Sequence, residues 1–366
     1  MDSFGHYSEF AEDKLIFQHI NAGDDHSANT LLKKLHGRPA IFAGKVYLRD
    51  WTDKAEEIPD AELRFIRLGW DKYYSANYLD AAKNFIEAIE VGNVWLSWSC
   101  LGLGKVLSDL GRWLESRNWL LASLKYSREQ NDYYRMAECY GSLGEVFFRT
   151  GNYQVALEMF SLDKQILPPG SSFRYRLENY MAITSGRLGA YEIATQALWQ
   201  SYFGALNSNP TSSWYSLASL FTLSVFRTDS NLFDRLSMVS PPSDCPYIDM
   251  PKAFIEVAKA YWHLKESDSS QAGNCLEKAA SFFSSRYPVE TLWVRTLMCR
   301  FVSKNHSPYS TAPWIDNDFV INISPLSPGL VDRRLAEIPI QNQTFFQFGD
   351  MASCEDPFEK WKYFLV

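Results

Sequence analysis

Three stretches of the chain repeat one another. LGWDKYYSANYLDAAKNFIEA from Leu68, LGKVLSDLGRWLESRNWLLAS from Leu103 and LGEVFFRTGNYQVALEMFSLD from Leu143 fall into register at a Leu-Gly pair. In each, apolar residues recur at three- and four-residue spacing on both sides of a short polar corner, the pattern of two amphipathic helices packed antiparallel. Small residues at the crossing points let two helix backbones touch, while Trp, Tyr and Phe fill the hollows between successive hairpins. The prediction is an all-α chain of stacked helical hairpins.

The repeated positions resemble those of the tetratricopeptide repeat, a helix-turn-helix of about 34 residues. In a first copy, starting near Glu62, they hold Phe65, Leu68, Gly69, Tyr78, Ala81, Phe85 and Ala88, with Lys72 in a slot where the family prefers Tyr. A second, from near Ser97, keeps Leu103, Gly104, Gly111 and Trp113 but carries Ser116, Leu120 and Ser123 where Ala, an aromatic and Ala are usual. A third, from near Ala137, holds Tyr140, Leu143, Gly144, Phe147, Tyr153, Ala156 and Phe160, with Pro168 after it. A fourth, from about Tyr175, keeps Gly189, Tyr191, Ala194 and Leu198, with Ala182 where Gly is preferred, and a divergent fifth runs from Ala253 to Phe283. The resemblance implies an α-α superhelix, a solenoid of such hairpins. The uneven spacing of the copies assigns extra residues to the loops between hairpins.

On this reading residues 62–208 form four hairpins, and residues 209–303 continue the solenoid in divergent form, with a helix at Trp214 to Phe226 and a break at Ser240 to Pro246. Residues 1–61 form a helical N-terminal cap, with helices around Glu9 to Ile20 and Ala28 to Leu35. Pro39 to Trp51 alternates as a strand or an extended cover would. Beyond Lys304 the periodicity stops. Residues 304–366 are punctuated by Pro308, Pro313, Pro325, Pro328 and Pro339 and end in the aromatic runs TFFQFGD and WKYFLV. Aromatic residues need burial, so this segment is expected to lie against the solenoid as an extended C-terminal arm, a candidate pseudo-ligand for the solenoid's own groove.

Composition excludes several classes of function. A net charge of -7, with 36 basic against 43 acidic residues and no long Lys/Arg cluster, argues against nucleic acid as partner. No 18-residue apolar run exists, so no membrane partner is expected. The six cysteines, at 100, 139, 245, 275, 299 and 354, form no CxxC pair, and the acidic start MDSFGHYSEFAEDKLIF lacks the marks of a signal peptide. A cytoplasmic chain is the expectation, with the sequons at Asn305, Asn322 and Asn342 accidental. Catalytic and metal signals are poor, and no cofactor is assigned. His6, His19, His26, His36, His263 and His306 include no pair at helical spacing. GLGK at Gly102 to Lys105 lacks the upstream Gly and following Ser/Thr of a phosphate loop and falls inside a helix.

The resemblance also implies where a partner binds. In the family, the first helices of successive hairpins line a concave groove. The matching positions here are Arg67, Trp70, Tyr73 and Tyr74 in the first copy and Trp98, Lys105 and Asp109 in the second. The third offers Glu138, Ser142, Glu145 and Arg149, and the fourth Arg176, Asn179, Tyr180 and Arg187. Aromatic faces beside guanidinium groups suit a peptide, with the arginines placed to pair with carboxylates and the glutamates with basic side chains. The family's clamp for a C-terminal carboxylate uses a Lys and an Asn four residues apart, and Ile66 and Trp70 stand there instead. The expected function is a protein- or peptide-binding adaptor or regulatory scaffold. The alternatives are a regulator that senses a peptide or small molecule through the same groove, and an enzyme with a pocket between solenoid and arm.

Overall fold

The computed structural model describes residues 11–35 except 23, 54–167 except 93, 174–240, 242, 248–283, 287–301, 335 and 337–339. Among the described residues every regular element is helical. The N-terminal helices are α1 (Ala11–Ala22) and α2 (Asp25–Leu32), followed by a single 3-10 turn at Ala55–Glu57. The repeated copies become α3 (Ala61–Tyr74), α4 (Tyr78–Val91), α5 (Leu96–Asp109), α6 (Trp113–Glu129), α7 (Tyr133–Arg149), α8 (Tyr153–Ile166), α9 (Arg174–Arg187) and α10 (Tyr191–Ser208). Then come α11 (Pro210–Arg227), α12 (Ser230–Ser237), α13 (Asp249–Lys265), α14 (Ser269–Phe283) and α15 (Pro288–Phe301). The expected strand or cover at Pro39 to Trp51 lies outside the described residues, as do most of the break near Ser240 and nearly all of residues 304–366.

Among the described residues one corner is used seven times. At Ala76, Gly111, Asn131, Gly151, Gly189, Thr228 and Ser267 the backbone takes positive φ, between 54° and 97°. The next residue donates its N–H to the carbonyl five residues back, as from Asn77 to Lys72 at 2.8 Å, Asp132 to Ser127 at 2.9 Å and Asp268 to His263 at 2.8 Å. This closes the last turn of the outgoing helix and satisfies a carbonyl that the helix itself leaves orphaned. Where that next residue is Asp it also opens the following helix. Asp132, Asp229 and Asp268 accept the N–H groups of Arg135, Leu232 and Gln271 at 2.9–3.0 Å. Two helices therefore reverse direction within about three residues.

The chain divides into two compact units. The first comprises residues 1–146, 161–171 and 319–340; the second comprises 147–160, 172–318 and 341–366, so the division passes through α7 and α8. In the first unit α3 packs on α4, α4 on α5 and α5 on α6, and α3 also reaches α5. In the second, α9, α10 and α11 pack in the same manner, and α11 continues through α13 to α14 and α15. Contact of each first helix with both its own partner and the next hairpin is the arrangement of a repeat solenoid.

Glycines hold the stack close. A methyl group at Gly69 would lie 2.7 Å from the Phe85 ring, and one at Gly102 would overlap the same ring from the next hairpin. Phe85, fully buried on α4, is thus wedged between α3 and α5. The second copy departs from the family's alanines for a structural reason. Ser116 and Ser123 are fully buried on α6 and donate their hydroxyls to the carbonyls of Gly104 at 2.7 Å and Ser97 at 2.5 Å on α5. Hydrogen bonds thereby join the two helices of that hairpin. The described part of the C-terminal segment touches the first unit, where Leu335 is buried and the Ile338 carbonyl accepts a hydrogen bond from Arg117 Nη1 at 2.6 Å.

Two substitutions test these constraints by urea denaturation. Gly102→Ala forces the Phe85 ring out of place and is expected to cost about 1–3 kcal/mol, since a filled core resists added volume. Ala76→Gly relieves a left-handed residue at a corner and is expected to raise stability by about 1 kcal/mol. No loss from the first, or a loss from the second, would refute this reading.

Candidate functional site

Within the first unit the predicted groove residues on α3, α5 and α7 fall into two sets. Tyr73, Tyr74, Lys105, Asp109, Glu138 and Glu145 are half-buried, whereas Arg67, Trp70, Trp98 and Ser142 are buried. The helices are registered against one another by direct contacts. Tyr73 on α3 donates its hydroxyl to Asp109 Oδ2 on α5 at 2.7 Å. Burial, reinforced by the Asp109 carboxylate, pushes the Tyr73 phenol well above its ordinary range, so it remains a donor. Trp70 lies edge-on to Phe85 at 5.3 Å and is stacked by Tyr74 at 5.9 Å, which anchors the two tyrosines from below. Arg67 forms an ion pair with Asp71 one turn along α3.

The next pair of helices is joined by a residue that the repeat register passes over. Arg135 lies 4.6 Å from the ring centroid of the fully buried Trp98 on α5 and pairs with Glu138 one turn along α7. Because Arg135 precedes the start of the third copy, the positional rule gives it no role. Glu62 was missed as well. Its buried carboxylate accepts the N–H groups of Val94 at 3.1 Å and Trp95 at 2.9 Å, satisfying the start of α5, whose N-cap Trp95 has no side-chain acceptor to offer.

In the second unit the expected availability of Arg149 for a peptide carboxylate is corrected. Its Nη1 lies 2.9 Å from Glu290 Oε1 on α15, and the two side chains are only 6% and 4% exposed. This is a buried ion pair holding α7 to α15. The signal that could have found it is the acid in PVETLWV, a run otherwise suited to a core. Asn179 and Tyr180 are also committed to packing. Asn179 accepts from Ser216 Oγ on α11 at 2.8 Å, and Tyr180 stacks on Phe160 at 5.1 Å. Arg176 is exposed, with its guanidinium 5.6 Å from the Tyr180 ring. Arg187 is half-buried over Phe226.

Gly102 to Lys105 lies within α5, so its amides bond along the helix and form no phosphate cradle. Cys100 and Cys139 are buried; burial raises both thiols, that of Cys139 to about 12, so neither is a thiolate at neutral pH. Among the described residues no group of three His, Cys, Asp or Glu side chains could hold a metal ion, and no helix is long and apolar enough to cross a membrane.

Residues 96–161 match a family model described as tetratricopeptide repeat. No curated protein matches the sequence. A solved structure of a Rap protein complexed with competence and sporulation factor is similar over 78% of this chain and 95% of its own, with 13% identity and a TM-score of 0.49.

The Arg149–Glu290 pair gives a measurable consequence. Glu290→Gln leaves a guanidinium charge buried without its counter-charge and is expected to cost about 3–5 kcal/mol in urea denaturation. Arg149→Met combined with Glu290→Leu should recover most of that loss. A single variant as stable as the wild type would show that the pair carries no weight in the fold.

Proposed function

We propose, from the match of residues 96–161 to a tetratricopeptide-repeat model, that the chain binds a peptide segment of a partner protein along the first-helix face of α3, α5 and α7. The observation that supports this reading is the half-buried set Tyr73, Tyr74, Lys105, Asp109, Glu138 and Glu145. Its members alternate aromatic, basic and acidic chemistry along three successive helices. Their backbones are held by packing beneath them, so docking freezes few new degrees of freedom. Aromatic burial supplies affinity, and the sign of each charge selects the side chain opposite it. Lys105 faces an acidic partner residue and Glu145 a basic one, whereas Glu138 is held by Arg135. Buried Arg67, Trp70 and Trp98 act beneath this surface and position it.

The test is selection from a random library of C-terminally amidated nonapeptides on the full-length chain, with dissociation constants measured for the enriched sequences. Tyr74→Ala and Lys105→Glu are each expected to weaken binding about tenfold or more, measured under conditions where circular dichroism shows each variant folded, because Tyr74 also stacks on Trp70. Absence of any enriched peptide, or enriched peptides that bind both variants as well as wild type, would overturn the proposal.

A further inference from the structure

Arg187 ends α9 in the second unit. Its guanidinium carbon lies 3.6 Å from the centroid of the Phe226 ring on α11, so the ring closes one face of the cation. The Nε and Nη2 atoms are both buried, and among the described residues neither has a hydrogen-bond acceptor. The groups that act on it electrostatically are the phenols of Tyr153 and Tyr191; no carboxylate is among them. The nearest acid in sequence beyond the corner, Glu192, is taken by Arg227 at 2.8 Å, and Arg227 itself lies over Tyr191 at 5.7 Å. Burial lowers the pKa of Arg187 to about 10, which still leaves it a cation at neutral pH.

The identity of the two unpartnered atoms is informative. Nε–H and Nη2–H project in parallel from the same edge of a guanidinium, and that edge matches the two oxygens of a carboxylate. Leaving two buried donors of a cation unsatisfied is costly. We propose that Arg187 is the receptor for a carboxylate carried by a peptide bound to the second unit, gripped side-on by Nε–H and Nη2–H with Phe226 backing the cation. This assignment shares with the reading above only the premise that the chain binds a peptide, and it concerns the second unit alone. Tyr153 and Tyr191 are both half-buried beside this cation. Their phenols are additional donors for the same carboxylate.

Two measurements on the full-length chain separate this inference from its premise. In the first, the Arg187 Nε–H resonance, assigned by its loss in Arg187→Lys, is followed by NMR during titration with sodium acetate. A saturable shift is expected, with none from acetamide or sodium chloride. An unmoved resonance, or equal shifts with chloride, would overturn the site whatever peptides bind. In the second, enriched peptides containing Glu or Asp are compared with their Gln or Asn counterparts, in amidated and free-acid forms. Replacing the critical acid should weaken binding to wild type about tenfold or more, and much less to Arg187→Gln. The amidated form identifies a side-chain carboxylate, whereas recovery of affinity only with the free acid identifies the chain terminus. Peptides that bind with an acid preference unchanged in Arg187→Gln sink the carboxylate site and leave the peptide-binding reading standing.

Discussion

Close approach of helix backbones around a trapped aromatic ring is the constraint on which the first unit depends. Phe85 lies where α4 meets both α3 and α5, and two glycines, one from each neighbour, leave it space. The ring supplies apolar burial and the glycines supply proximity; either alone would leave a void or a clash. The same logic recurs in the second unit, where a methyl group at Gly186 on α9 would lie 2.7 Å from Leu223 on α11. Once these distances are set, the first-helix faces come into register, and Tyr73 reaches Asp109 across thirty-six positions of sequence.

The hairpins were legible because their pattern is local and repeated. Apolar spacing places α3 to α10, and the corners announce themselves as Gly or Asn in Gly111, Asn131, Gly151 and Gly189. Ala76, Thr228 and Ser267 adopt the same left-handed conformation without such a residue, because the bond from the following N–H outweighs the local strain. The second helix, expected from Ala28, begins earlier for a similarly specific reason: Asp24 caps α2 by accepting from the Ser27 N–H, which starts that helix at Asp25. The C-terminal arm offered no period to read, and only its contact through Ile338 falls among the described residues.

The candidate site was less legible, since a positional rule says which way a side chain points from its helix but not how deep the next helix lies over it. Arg67, Trp70, Trp98, Asn179 and Tyr180 stand at positions expected to face a groove and are buried. Aromatic and guanidinium groups serve packing and recognition equally well, so residue type could not sort them. Arg149 illustrates the point. Its partner, Glu290, lies 141 positions away, a separation that no repeat period encodes.

That separation has a consequence for how the second unit comes apart. In an array whose modules touch only their neighbours, unfolding can begin at an end and proceed one module at a time. The bond between α7 and α15 closes the intervening helices into a loop. Peeling away α15 would strand a charge buried on α7, so its separate loss is opposed and loss of the intervening structure becomes a concerted event. A truncation that removes α15 is therefore not the excision of a dispensable module; it withdraws the counter-charge from a helix whose own sequence is intact.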